Sequence, residues 1–306
     1  MKAIMYHYIR EYNPNFPNFK FLDIKNFIKQ IDFFEKNYGF VSREEWDSFV
    51  ANGTLPKIKG KVILTFDDAF IDHFDYVFKE LKKRDLWGIF YLPTAAFTSN
   101  YILDIHLVHL LLGKVSSKEL LDQLNYLVTE KMLVDKKNFE EFNLYQDQKD
   151  IYFAGKVKKI LNFYLNYKFR REIVHHLCKK NEIGFENKNF YLSKEDVFEM
   201  KEAGMIFGSQ TVNHPVMSRL GEEDQKLEIS DSFKWLDENK AISNRTYCHP
   251  HGGRHSYNKK TIEILEKLKV LYSFDVSNEE ISNKYFPKKM HILPRFDCNQ
   301  FPFGKI

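Results

Sequence analysis

The segment of this sequence that is most informative about chemistry ends in two adjacent carboxylates. Residues 61–68 read Lys-Val-Ile-Leu-Thr-Phe-Asp-Asp, an apolar run that stops at Asp67 and Asp68. Such a run predicts a strand covered on both faces, and α/β folds build their active sites just past the ends of such strands. Neighbouring side chains of an extended chain point to opposite sides, so one carboxylate can bind a metal while the other accepts a proton. An Asp-Asp pair before a helix is equally typical of an N-cap.

A second apolar run leads into a second pair of polar groups. Residues 205–209 are followed by Gln210, Thr211 and, four positions after Gln210, His214. Two side chains at this spacing can converge from one turn on a single ion.

Together the two segments resemble the polysaccharide deacetylase family, also called the NodB-homology domain or carbohydrate esterase family 4. Its first motif, Thr-Phe-Asp-Asp, is complete at residues 65–68. Its second, His-Ser/Thr-x-x-His, is present at 210–214 with Gln210 in place of the first histidine. The resemblance implies a divalent metal, zinc being the expected ion, bound by Asp68, Gln210 and His214. It also implies that Asp67 is the general base of a metal-assisted hydrolysis.

Gln210 leaves three interpretations open, because an amide oxygen is a neutral ligand and a weaker donor to zinc than imidazole. In the first, Asp68, His214, the Gln210 oxygen and water bind the metal. In the second, His249 or His251 is recruited as a metal ligand. In the third, the chain is an inactive relative that keeps the fold.

Two further segments extend the resemblance. Residues 249–253, His-Pro-His-Gly-Gly, are similar to the third motif, with Cys248 at the position of its arginine. The family uses the backbone N–H at the position of His251 to stabilise the oxyanion. Near the C-terminus, the resemblance implies that His291 is the general acid and that Arg295 orients Asp67. The residues expected to bind substrate are His7, Tyr8, Thr211, His249, Pro250 and Gly252.

These groups require a fold that gathers the ends of several strands. Strand-like runs alternate with amphipathic helices, which predicts a (β/α) barrel, and the family has a distorted (β/α)7 barrel. We therefore expect a single α/β domain over residues 1–306 with a helical insertion at 101–188. The insertion is expected to shape the sugar pocket or to form a homo-oligomer surface. Asp72, His73 and Asp75 are expected on a solvated helix face.

Capping patterns predict where two of the helices begin. These patterns are Ser42 with Glu45 and Ser193 with Asp196.

Composition excludes several classes of protein. The chain of 306 residues is 43% hydrophobic and has a net charge of +4, which is too small for a nucleic-acid-binding face. Its three cysteines show no paired spacing. A signal peptide and a membrane span are not indicated. We therefore expect a cytoplasmic enzyme whose amino-sugar substrate is nucleotide-linked or a glycan precursor.

The motifs predict a carbohydrate N-deacetylase. A sugar N-deformylase would share every motif, and the product, acetate or formate, separates the two. A non-catalytic glycan-binding protein is the alternative from another class, and Gln210 and Cys248 favour it. The intact Asp67-Asp68 pair argues against it, because adjacent carboxylates are costly to maintain.

Overall fold

The structure is a computed structural model that describes residues 1–134, 152–242 and 244–305. The chain forms two compact units. The first consists of Met1–Glu11, Phe21–Thr98 and Asn189–Ile306, and the second of Tyr12–Lys20 and Ser99–Lys188. Every candidate site residue lies in the first unit.

A parallel sheet of seven strands forms the centre of the first unit. In chain order the strands of this unit are β1 (Lys2–Tyr6), β2 (Ile9–Arg10), β3 (Leu22–Asp23), β4 (Val62–Asp67), β5 (Ile89–Leu92), β6 (Ile206–Ser209), β7 (Thr246–Cys248), β8 (Tyr272–Phe274) and β9 (Phe296–Asp297). The sheet order is β8-β7-β6-β5-β4-β1-β9, and β2 and β3 form a separate parallel pair. All six residues of β4 are buried, as its apolar sequence predicts.

The segment before β9 connects the two edges of this sheet. The Leu293 N–H donates to the Ser273 carbonyl at 2.9 Å, and the Asp275 N–H donates to the Leu293 carbonyl at 2.9 Å. A few residues later, Phe296 and Asp297 pair with β1. The sheet is thus curled, and the predicted distorted (β/α)7 barrel is confirmed.

Helices alternate with the strands of the first unit. Before the second unit they are α1 (Ile24–Asn37), α2 (Arg43–Asn52), a π-helix (His73–Phe78) that runs into α3 (Lys79–Lys83), and α4 (Ala95–Thr98). The α-helices described in the second unit are α5 (Asp104–Lys114), α6 (Ser117–Leu127), α7 (Tyr152–Lys159) and α8 (Tyr167–Lys180). The last three are α9 (Lys194–Glu202), α10 (Glu222–Glu238) and α11 (Lys259–Lys267).

The helix starts predicted from capping patterns are present. Ser42 with Glu45 forms a capping box at α2, and Ser193 with Asp196 forms one at α9. Each box satisfies two backbone N–H groups that a helix start would otherwise leave without partners. Helix α9 ends just before Gly204, whose φ of +91° turns the chain into β6.

The second unit is helical where the structure describes it. Its strand-like pairing is limited, within the described residues, to isolated bridges such as that between Leu133 and Leu165. Part of the predicted insertion, residues 135–151, lies outside the described residues. Among those described, no helix is both long and apolar enough to cross a membrane.

One prediction about the helix after β4 is wrong for two of its three residues, since Asp75 is exposed as expected. Asp72 and His73 are 5% and 0% exposed, so they do not lie on a solvated face. Asp72 accepts hydrogen bonds from the Ile9 N–H and from Arg10 Nε. His73 Nε2 likewise donates to the His7 carbonyl at 2.9 Å, so the start of this helix packs against residues 7–10 and is shielded from solvent.

Candidate active site

The two carboxylates at the end of β4 point to different neighbours. Asp67 is the last residue of the strand, and both it and Asp68 are 2% exposed. Asp68 and Ala69 have φ values of +82° and +59°, a left-handed conformation that costs energy for residues with a side chain. This turn separates the two carboxylates, as the spacing predicts.

Asp67 is held by a buried arginine from the far end of the chain. Arg295 Nη1 donates to Asp67 Oδ1 and Nη2 donates to Oδ2, each at 2.8 Å. Nη1 also donates to Thr65 Oγ1 at 3.1 Å. Burial is the largest single effect and lowers the pKa of the Arg295 guanidinium. The charge of Asp67 and its hydrogen bond with the guanidinium, together with smaller contributions from other neighbours, leave the pKa raised overall. A bidentate pair of this kind fixes the plane of the carboxylate.

Cys248, at the position of the third-motif arginine, packs against this pair. Its Sγ lies 2.9 Å from Arg295 Nη2 and 3.5 Å from Asp67 Oδ2. Burial raises the pKa of the Cys248 thiol well above its usual value, so the thiol stays neutral. The guanidinium beside Asp67 therefore comes from the segment before β9, and the third-motif position contributes a small neutral group.

Asp68 and His214 have the spacing of two ligands on one ion. Asp68 Oδ1 and His214 Nε2 are 3.3 Å apart, and their side chains are 3% and 7% exposed. Bonds of about 2.1 Å in tetrahedral geometry separate two ligand atoms by about 3.4 Å. The pair therefore fits two positions around a divalent cation.

Gln210 has another partner. Its Oε1 accepts the backbone N–H of Asp68 at 3.0 Å, and its Nε2 lies 3.9 Å from Cys248 Sγ. Across the described parts of the chain, no group of three His, Cys, Asp or Glu side chains could hold a metal. Asp68 and His214 thus fit a metal ion, while the Gln210 oxygen accepts a hydrogen bond from the turn at Asp68.

His7 lies next to Asp67. Its Nε2 is 4.0 Å from Asp67 Oδ2, and 39% of its side chain is exposed. Its carbonyl accepts a hydrogen bond from His73 Nε2 at 2.9 Å. Burial lowers the pKa of His73 to about 4, so His73 is a neutral donor that fixes the backbone of His7.

The other candidate histidines have different surroundings. Burial lowers the pKa of His249 to about 3, and its Nε2 donates to the His291 carbonyl at 2.9 Å. The His249 ring also stacks on Tyr257 at 3.9 Å, so this side chain is part of the interior. Burial lowers the pKa of His291 too, and the charge of Glu266 offsets part of this effect. The His251 ring lies 5.0 Å from the His214 ring.

Most residues expected to bind substrate are buried. Tyr8 stacks on Phe70 at 3.9 Å, and Thr211 is 0% exposed. Pro250 and Gly252 are buried as well. His7 is the partly exposed member of this set, and among the residues expected to be catalytic His251 and His291 are partly exposed.

Asp275 belongs to the site and was missed in the sequence. It follows β8 directly, is 2% exposed and accepts hydrogen bonds from Tyr257 Oη at 2.8 Å and Ser277 Oγ at 2.7 Å. Its carbonyl accepts from Arg295 Nε at 3.4 Å. Burial raises the pKa of the Asp275 carboxyl. The available signal was Tyr-Ser-Phe-Asp at 272–275, an apolar strand ending in a carboxylate like the one at 65–67.

Comparisons with known proteins support the same fold. The sequence pattern of the family described as polysaccharide deacetylase matches residues 163–273. No curated protein matches the sequence. Among solved structures, the deacetylase PplD of Streptococcus pyogenes, solved in complex with acetate, has a TM-score of 0.58 at 20% identity, over 97% of this chain and 91% of its own.

Two other solved structures are similar. IcaB from Ammonifex degensii gives a TM-score of 0.57 at 15% identity, over 96% of this chain and 89% of its own. A de-N-acetylase from Aggregatibacter actinomycetemcomitans gives 0.54 at 13% identity, over 96% and 93%. Similarity at these identities establishes the fold, and with the family match it confirms the resemblance drawn from the motifs.

Proposed function

We propose that this chain, which has the fold of the polysaccharide deacetylases, hydrolyses the N-acetyl group of an amino sugar. One observation carries the proposal: Asp67 is clamped by Arg295 beside the Asp68–His214 pair, at the carboxyl end of the barrel strands. A fixed carboxylate next to two metal-ligating groups is the arrangement that metal-assisted hydrolysis requires.

Asp67 acts as the general base in this proposal. Arg295 occupies one lone pair on each Asp67 oxygen and the Cys248 thiol donates to Oδ2, so the second lone pair of Oδ1 is left to accept a proton from water. Because the carboxylate cannot rotate, the attacking water is held in one direction relative to the substrate carbonyl.

A divalent cation, zinc in our proposal, would be held by Asp68 and His214. When bound, such an ion polarises a carbonyl and lowers the pKa of bound water to about 7. Gln210 contributes indirectly, because its hydrogen bond to the Asp68 N–H keeps the left-handed turn in place.

We assign the remaining roles by position. The backbone N–H of His251 is the oxyanion donor, in a residue whose φ of +62° turns the main chain at the end of β7. His7 is the proton donor to the leaving amine, because it is partly exposed and 4.0 Å from Asp67. His291, the acid implied by the family resemblance, is the alternative donor; its side chain is partly exposed, and its carbonyl accepts hydrogen bonds from His249 and Ser273.

A glycan-binding protein without turnover is the second candidate. The engagement of Gln210 with the Asp68 backbone favours it, since the site then offers two ligands instead of three. Under this alternative, sugars bind with no release of product at any zinc concentration.

The proposal is tested by product analysis with zinc and a panel of N-acyl amino sugars, both nucleotide-linked and oligomeric. We expect acetate and a free amine. Formate release from the N-formyl substrates alone would identify a deformylase, and binding without either product would support the second candidate.

A further inference from the structure

The turn that presents His214 is strained. Thr211 and His214 both have left-handed backbones, with φ of +67° and +55°. The His214 N–H donates to Thr211 Oγ1 at 3.0 Å, which closes the turn on itself. Each such residue raises the free energy of the fold and persists only where the surroundings hold it. Some contact outside the turn must therefore fix the position of His214.

One side of the turn is held by the chain that follows β5. The Thr94 N–H donates to the Thr211 carbonyl, and the Ala95 N–H donates to the Val212 carbonyl, both at 3.0 Å. These bonds fix two carbonyl groups but leave the N–H groups of Val212 and Asn213 to other partners.

The other side is held by one face of α10. Glu228 Oε2 accepts the N–H groups of Val212 at 3.0 Å and Asn213 at 2.8 Å, and Oε1 accepts Asn213 Nδ2 at 2.7 Å. Four residues later on the same face, Ser232 Oγ is 2.6 Å from Ser209 Oγ.

We propose that Glu228 is a positioning residue that holds His214 in place for the reaction. A carboxylate is the side chain suited to this role, since its two oxygens only accept hydrogen bonds and all three groups facing it donate. Glu228 acts through the turn without contacting substrate. The catalytic part of this inference rests on the proposed function; the structural part does not.

The kinetic test compares Glu228→Ala and Glu228→Gln with Asp231→Ala, which removes an exposed carboxylate from the same helix. Misplacing a catalytic group by about 1 Å can cost about 100-fold in rate. We expect Glu228→Ala to lower kcat by about 10- to 100-fold with little change in KM. Glu228→Gln should lie between Ala and the parent chain, since an amide keeps one acceptor oxygen. Asp231→Ala should match the parent.

Two further measurements on the same variants need no activity. Hydrogen exchange at the amides of Val212 and Asn213 should accelerate at least tenfold in Glu228→Ala, and the imidazole NMR signals of His214 should shift. Neither should change in Asp231→Ala.

The outcomes separate this inference from the proposed function. Unchanged exchange and unchanged His214 signals in Glu228→Ala would overturn the inference, whatever the activity. Faster exchange with unaltered kcat would overturn the positioning role in an active enzyme. If the parent chain releases no acyl group while exchange and His214 signals respond, the proposed function fails and the structural role of Glu228 stands.

Discussion

At the scale of single residues, the chemistry depends on which group binds which carboxylate. Arg295 binds both oxygens of Asp67, and Gln210 binds the main chain of Asp68. The sequence identified all four residues and predicted that Arg295 orients Asp67. It could not predict that Gln210 points at a peptide N–H, because the partners of an amide depend on backbone geometry that only the folded turn provides.

Removing the arginine should disturb both stability and activity. Arg295→Met leaves the Asp67 carboxylate buried without its partner, and breaking a buried ion pair in this way costs about 3–5 kcal/mol. Arg295→Lys keeps the charge but loses the bidentate contact, so it should fold better and still lose most of kcat. Urea unfolding and acetate release check these effects.

The matched control is Arg43→Met, which removes the half-exposed i,i+4 pair with Asp47 on α2. It should leave both measurements nearly unchanged, since exposed pairs contribute little. Equal losses in Arg295→Met and Arg43→Met would contradict the role given to Arg295.

Replacing Gln210 tests the ligand set. In Gln210→His an imidazole replaces an amide whose oxygen is committed to the Asp68 N–H, and it adds a third ligand beside Asp68 and His214. We expect zinc affinity, measured by titration calorimetry, to rise at least tenfold. Gln210→Ala should lower the stability of the turn without strengthening zinc binding. A parent chain that already binds zinc as tightly as Gln210→His would show that the amide is a ligand after all.

At the scale of elements, the sequence predicted strands and helix caps, but it did not always predict which side chains are buried. The run at 61–68 predicted β4, and Ser42 with Glu45 predicted the start of α2, because both depend on local patterns. The burial of Asp72 and His73 was not predicted because it depends on contacts with residues 7–10, which lie more than 60 positions away in the sequence. Asp275 was not identified as a site residue, because a single carboxylate after a short strand is a weak signal.

Buried histidines make the stability of the fold depend on pH. His249 has a folded pKa of about 3, against about 6.5 when unfolded, so the unfolded chain binds more protons in between. The stability that neutral His249 contributes is fully present above about pH 6.5 and is lost as the pH falls toward 3. Lowering the pH from 7.5 to 4.5 should therefore reduce the free energy of unfolding by about 2–3 kcal/mol through His249, at about 1.4 kcal/mol for each pKa unit.

The measurement is urea unfolding at both pH values for the parent chain and for His249→Gln. The variant should lose less stability on acidification, and comparing the two chains removes the effects of the carboxyl groups they share. The same acid loss in both chains would show that His249 does not titrate between its folded and unfolded values.

At the scale of the whole molecule, the barrel order follows from the alternation of strands and helices, but its closure does not. The segment at 293–297 pairs with β8 on one side and β1 on the other, and this brings Arg295 to Asp67 across 228 positions of sequence. The hydrophobic pattern predicts each strand but not which distant side chains meet, and the pairing of Arg295 with Asp67 was expected only from the family resemblance. For the same reason Glu228 on α10 was not identified as a partner of the His214 turn.

The most direct test of the account is the rate of acetate release in the presence of zinc by the parent chain and by Asp67→Asn, with sugar binding measured in parallel. We predict turnover by the parent chain and a loss of at least about 100-fold in kcat for Asp67→Asn, which keeps the shape of the side chain but removes the base. Sugar affinity should be similar in the two chains. Undiminished acetate release by Asp67→Asn, or sugar binding without any release by the parent chain, would contradict the account.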